Sequence, residues 1–226
     1  MTRSISTAGE PRFVWGRPAS GYKLIPDTDM PAVTEAAFLV PRDGRERGQQ
    51  VAIPPGTYLE FSRLPVWPEV GQREANEAYL AFANRYGLLG HLQDESGCLL
   101  QREATHLDWP AEINDMRAAL ATLSSGDSEE KPALAEVVNA RIRNHVGMTL
   151  EWTGQGWRRS FAANNLRGEL WLQLLDAITE NRGFGTCTYC GGAFEIPPKA
   201  EGKGKLYCSG RCRVGAFKNR KKEAQR

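Results

Sequence analysis

The spacing of apolar positions changes near residue 70. Before it, from Pro11 to Pro68, the apolar pieces are short: Phe13-Val14-Trp15, Tyr22 to Ile25, Ala36 to Val40, Val51 to Ile53 and Tyr58 to Phe61. Prolines and glycines break the chain between them, and Pro54-Pro55-Gly56 forms a turn signal between the last two pieces. Short apolar runs between breakers predict strands. Residues 11–68 are therefore expected to be β-rich.

After residue 70 the spacing becomes helical. Tyr79, Phe82, Ala83 and Tyr86 follow i, i+3, i+4, i+7, which predicts a helix from about Val70 to Tyr86, stopping at Gly87. Trp109, Ile113, Met116, Leu120 and Leu123 predict a second, with Asp108 as N-cap and Pro110 in the first turn. Leu134, Val137, Val138, Ile142 and Val146 predict a third, after a polar loop from Ser124 to Lys131. Met148 to Trp152 and Trp157 to Phe161 flank Thr153-Gly154-Gln155-Gly156, a hairpin signature. Leu166, Leu170, Leu174 and Ile178, with Trp171 and Leu175, predict a fourth helix. The aromatic members of these stripes, Tyr79, Phe82, Tyr86, Trp109 and Trp171, read as packing residues. The expectation is an α+β body over residues 1–182, β-rich at 11–68 and mainly helical at 70–182. A small separate module follows at 183–226.

Composition adds bounds. With 226 residues, 41% apolar and 25% charged, the chain has globular composition and room for one body plus a small module. No run approaches the roughly 20 apolar residues of a membrane helix. Met1 to Glu10 has no apolar stretch of the kind a secretory leader carries. A cytoplasmic protein with no membrane partner is expected. The net charge of +2 conceals an asymmetry: residues 197–226 hold ten basic side chains and two acids, so that segment is +8 and the remainder −6. A basic end on an acidic body points to a polyanion, or to a solvated charged tail.

Four of the five cysteines change the picture most. Cys187 and Cys190 are separated by two residues, Cys208 and Cys212 by three, and seventeen lie between the pairs. Thiolates at these spacings close a tetrahedral Zn²⁺ shell. Gly191 and Gly192 free the backbone where it turns past a metal, and Ser209 is placed to cap a helix carrying Cys212 in its first turn. Knuckle, hairpin and a helix bearing the fourth ligand form the treble-clef arrangement, with Phe194, Tyr207 and Phe217 as its expected apolar core. A disulfide pair, a redox C-x2-C and an iron–sulfur cluster fit less well, lacking respectively an export signal, a βαβ setting and the usual spacing. With four sulfurs the shell has no open position, so the expected zinc is structural rather than catalytic. Cys98 stands apart and reads as a buried or neutral free thiol.

The stretch from Leu170 to Lys222 resembles bacterial treble-clef zinc knuckles that end in Tyr-Cys-Ser-x2-Cys-Arg and a basic helix. In particular it is similar to the CGNR-type zinc finger at the C-terminus of ABATE-domain proteins. The residues that carry the resemblance are the Leu-rich helix Leu170 to Ile178, Cys187 with Cys190, Phe194, Tyr207-Cys208-Ser209 and Cys212. Those proteins are regarded as stress-related transcriptional regulators, so the resemblance implies a DNA-binding zinc finger here. The chain departs from the pattern after Cys212, where Arg213-Val214-Gly215 stands in place of Gly-Asn-Arg, and its ligand spacings are shorter.

The helix from about Gly210 to Ala224 presents Arg211, Arg213, Lys218, Arg220, Lys221 and Lys222 as candidate nucleic-acid contacts, with Arg211, Lys218 and Lys222 on one face. Such residues meet phosphates and give affinity rather than sequence choice. The competing reading is a protein-interaction or scaffold module that docks an acidic protein partner. A local alternative is that Lys205, Arg211 and Arg213 only offset the charge of a zinc–tetrathiolate site, and that Arg220, Lys221 and Lys222 answer the helix macrodipole. No phosphate loop, nucleophile elbow or zinc-protease motif is present. Of three histidines, His91 and His106 fall near loops and His145 on a helix, while Asp94-Glu95 and Glu129-Glu130 read as solvated turns. No enzymatic activity is expected.

Overall fold

The computed structural model describes residues 14–26, 37–43, 48–90, 103–105, 108–196 and 204–223. These form an α+β fold whose described sheets are antiparallel. Strands β1 (Val14–Pro18), β2 (Tyr22–Pro26), β3 (Ala37–Pro41) and β4 (Gly48–Ala52) occupy four of the five short apolar pieces. β1 pairs with β4, and β2 pairs with β3, which also pairs with the short β5 (Glu103–Ala104).

The fifth piece is not a strand. Thr57–Phe61 forms a helical turn, α1, opened by the Pro54-Pro55-Gly56 turn. The Thr57 hydroxyl donates to the Pro54 carbonyl at 2.7 Å. The reason is local: Tyr58 and Phe61 are both fully buried. A helix puts residues three apart on one face, whereas a strand sends them to opposite faces.

The helices follow the predicted stripes. They are α2 (Gln72–Tyr86), α3 (Asp108–Ser125), α4 (Lys131–Arg143) and α5 (Leu166–Thr179). Gly87 closes α2, its N–H donating to the Ala83 carbonyl. Asp108 is the first residue of α3 rather than a cap outside it. α4 is shorter than its stripe, and Val146 begins strand β6 (Val146–Trp152) instead. The ladder starts there because the His145 carbonyl accepts from the Asn164 N–H, drawing the chain towards β7 (Trp157–Ala163). The β6–β7 pairing runs from Val146 opposite Ala163 to Trp152 opposite Trp157, as the hairpin signature predicts.

The core gathers around α3. Trp109 stacks on Tyr79 with ring centroids 5.2 Å apart, and it meets Phe61 and Phe82 at 6.0 and 5.9 Å. Two buried carboxylates are tied into this core. Glu112 accepts from the Trp171 indole N–H and faces the Arg167 and Arg141 guanidinium groups at 3.1 and 3.4 Å. Glu103 accepts from the Leu89 and Gly90 backbone N–H groups and from the Trp109 indole. Buried charge is tolerated only when hydrogen-bonded in this way. Among the described residues no helix is long and apolar enough to cross a membrane.

The chain leaves α5 into β8 (Gly183–Thr186) and pairs it with β9 (Ala193–Ile196); the last described element is α6 (Gly210–Glu223). The β8–β9 hairpin packs on α3, and Phe184 joins the hydrophobic core. The expected boundary after Arg182 thus lies beside contacts that cross it. Arg182 itself pairs with Glu180 and with Glu195 on β9.

Candidate metal centre

Cys187 follows the last residue of β8, and the hairpin sets its direction. Its N–H donates to the Gly192 carbonyl at 3.0 Å, and its carbonyl accepts from the Gly191 N–H at 2.8 Å. Gly191 has φ 71°, the left-handed region that a side-chain-bearing residue adopts at a cost. This tight turn points Cys187 and Cys190 the same way. The second pair is brought up by Thr188, whose backbone N–H and hydroxyl both donate to the Leu206 carbonyl. Ser209 then caps α6, its hydroxyl oxygen accepting from the Cys212 N–H at 3.2 Å. Cys212 accordingly lies in the first turn, as its spacing predicts.

The four sulfurs lie within 4.8 Å of one another. Cys190 and Cys208 are 3.7 Å apart, and Cys208 and Cys212 3.4 Å. A tetrahedral shell with metal–sulfur bonds of about 2.3 Å has sulfur–sulfur edges of about 3.8 Å. The donor set therefore fits one metal ion. A disulfide needs sulfurs at about 2.05 Å, and all four thiols are free. Burial raises the Cys187 thiol, but the backbone N–H groups of Cys190, Cys208 and Tyr189 outweigh it and bring it down to about 6. Burial pushes the Cys208 thiol up to about 12, and the neighbouring Cys212, Cys190 and Cys187 push the same way. A thiolate at Cys187 beside the Cys190 and Cys208 thiols, both pushed up by burial, is the arrangement a cation resolves.

The centre is anchored on two sides. Towards the body, the Arg63 guanidinium donates to the Ala193 carbonyl at 2.6 Å, and the Tyr58 hydroxyl donates to Glu195 at 2.5 Å. Towards α6, the Tyr189 ring lies against Gly215, where an added Cβ would stand 2.5 Å from the ring. Tyr189 and Gly215 were not singled out as a pair by the sequence. The signal available was a glycine inside a helix, which costs about 1 kcal/mol against alanine and so calls for a packing reason.

Of the three residues expected to form the module's apolar core, Phe194 is buried and Tyr207 partly so, but Phe217 is exposed. At 100° per residue, Phe217 stands about 200° round the helix from Gly215, which faces the knuckle. Val214 is exposed beside it.

Arg211, Arg213, Lys218, Arg220, Lys221 and Lys222 all lie on α6 and are all exposed. Among the described residues none of them forms an ion pair. Lys205 lies over the Phe194 ring, 5.0 Å from its centroid. His145 contacts the Asn165 side chain that caps α5, a structural placement; burial lowers its pKa, and Arg167 and Arg141 add to that. Glu129 and Glu130 are exposed, as expected. Cys98, His91, His106, Asp94, Glu95, Lys199 and Lys203 lie outside the described residues. No family model, curated protein or solved structure matches this chain.

Proposed function

We propose that the four cysteines hold a structural Zn²⁺ in a treble-clef module, and that this module presents α6 to the phosphates of a nucleic acid. A role in transcriptional regulation would follow from the resemblance to CGNR-type zinc fingers. The observation that carries the reading is the state of the six α6 cations: all are exposed and none is neutralised by the acidic body within the described residues. A row of unpaired cations on a helix whose first turn is tied to the metal forms a rigid, preorganised polyanion contact. Four thiolates leave no coordination position for water, which favours a scaffolding metal over a catalytic one.

Fluorescence anisotropy of labelled duplex DNA against salt tests this. Log affinity is expected to fall linearly with log salt, by about 0.9 per phosphate neutralised. Replacing Lys218 and Lys222 together by Ala lowers that slope by about 2 and weakens binding to all sequences alike. Absence of binding to duplex, single strand or RNA at low salt overturns the reading. The second reading, an acidic protein partner, then takes its place. It is favoured by one specific observation: Val214 and Phe217 are exposed on the same helix as the cations, an apolar contact that phosphates do not use.

A further inference from the structure

The β6–β7 hairpin carries an anomaly that the zinc module does not explain. Its strands alternate, but the apolar side faces solvent. Met148, Leu150, Trp152, Trp157 and Phe161 are 57% to 69% exposed. They share one face, because Met148 pairs with Phe161, Leu150 with Arg159 and Trp152 with Trp157 across the ladder. The other face is polar, with Thr149 opposite Ser160 and Glu151 opposite Arg158. Among the described residues the two strands pair only with each other.

We propose that this face is a self-association surface, occupied by the same face of a second copy of the chain in a two-fold pair. Three arguments lead to that occupant. An isolated two-stranded ribbon is marginal in water and is stabilised when one face is covered. The size is sufficient: a buried aromatic contributes roughly 150–250 Å², so these side chains offer on the order of 600 Å² per copy and 1,200 Å² per pair, where stable association begins.

The third argument is the order of the rungs, which suits a two-fold axis. The tryptophan rung lies at one end, the Met148/Phe161 rung at the other, and the Leu150/Arg159 rung between them. Packed face to face and antiparallel, about 10 Å apart as in a sandwich, the tryptophan rung of each copy covers the Met148/Phe161 rung of the other. Arg159 carries the face's only charge, and in the pair a guanidinium can lie over an indole of the second copy without needing an acid. Two-fold pairs are also the commonest soluble assemblies.

Equilibrium sedimentation of the full chain with zinc supplied tests the proposal, run from about 1 to about 200 µM, a range that brackets the micromolar dissociation constant of an interface this small. The mass is expected to rise from monomer to dimer. Leu150→Lys and Trp157→Arg should each weaken association at least ~10-fold. Glu151→Gln, on the polar face, should leave it unchanged. A monomer throughout the range overturns the proposal. So does association that ignores both Leu150→Lys and Trp157→Arg while circular dichroism stays native, and so does a higher oligomer in place of the dimer. If those variants do not fold, tryptophan emission of the unaltered chain decides. A blue shift on concentration supports the pair, and a constant spectrum overturns it.

Discussion

The Tyr58 hydroxyl donates to the Glu195 carboxylate at 2.5 Å, joining α1 to the strand that leads out of the cysteine knuckle across 137 residues of sequence. Burial raises the Tyr58 phenol far above its ordinary range, and the bond to Glu195 raises it further, so it stays a donor at any working pH. Tyr58→Phe removes the donor without emptying the core. Glu195 keeps Arg182 at 3.1 Å, so no buried charge is orphaned. The expected cost is about 1–2 kcal/mol, read as a lower urea midpoint with an unchanged slope. Glu195→Gln in the same chain should add less than its separate effect, the sign of a direct coupling.

The same contacts predict where the chain tolerates an end. Stopping after Arg182 removes Phe184 from the core and leaves the α3 face that holds β8 open to water. Emptying a buried phenylalanine site costs about 3–5 kcal/mol. Stopping after Ile196 keeps Phe184, Phe194 and Glu195 and removes residues 197–226, the second cysteine pair and α6 among them. The 1–196 product should melt cooperatively and well above the 1–182 product. Equal thermal midpoints by circular dichroism would mean that the hairpin contributes nothing to the body.

How far the sequence reached depended on range. The cysteine cluster was legible because each half is local: two residues set the knuckle and three set the helix turn, with Ser209 as cap. The long helices were legible because Trp109 to Leu123 and Leu166 to Ile178 repeat one period over several turns. Tyr58 to Phe61 was not, since a run this short fits a strand or a helical turn, and burial against α5 and the knuckle decided it. Val146 continued a helical stripe by spacing and lost to the carbonyl of His145, which opens the hairpin ladder. The pairing of Met148 to Trp152 with Trp157 to Phe161 was legible, but not that its apolar side meets solvent, because alternation says which residues share a face and not what covers it. The bond between Tyr58 and Glu195 lies beyond any local pattern.

Metal content should follow the four clustered sulfurs. Protein purified without added metal is expected to carry about one zinc per chain. Cys208→Ser should lose it and melt α6, while Cys98→Ser should leave it unchanged. Cys187 is already ionised above about 6, so the other three sulfurs release their protons on binding, and affinity falls as pH falls, by more than tenfold per unit between about pH 8 and 6. Elemental analysis and competition with a chromophoric chelator measure both effects. Iron, or a folded and reduced protein without metal, contradicts the zinc assignment.

Glu103 predicts a separate pH effect in the body. Burial raises its pKa to about 7, against the opposing N–H groups of Gly90 and Leu89, with Asp108 raising it further. The folded chain therefore holds a proton on Glu103 that the unfolded chain has released between the ordinary carboxyl value and about 7. Stability from this group is present at low pH and is lost as pH rises through about 7. The urea midpoint should rise when pH is lowered from about 8 to about 6, within a total of a few kcal/mol. Glu103→Gln cannot titrate and should flatten that part of the profile, although it lowers stability at every pH because its amide cannot accept all three N–H groups.

Gly215 tests whether the knuckle and α6 are mechanically one piece. Two effects of Gly215→Ala oppose each other. Alanine favours the helix by about 1 kcal/mol. Its Cβ would stand 2.5 Å from the Tyr189 ring, so the ring must move. An exposed aromatic on a free loop would yield cheaply, and the substitution would then stabilise. Tyr189 is not on a free loop: it lies between Cys187 and Cys190 in a turn closed by the Gly191 and Cys187 N–H bonds. Displacing its ring tilts the sulfurs against Cys212 in the first turn of α6. Gly215→Ala is therefore expected to lose metal to a chelator several-fold faster, despite its better helix propensity. Tyr189→Ala in the same chain removes the obstacle, restores metal retention and leaves the helix gain in place. A Gly215→Ala protein that holds zinc as well as the unaltered chain would show that the ring moves freely and that α6 is tied to the knuckle through the metal alone.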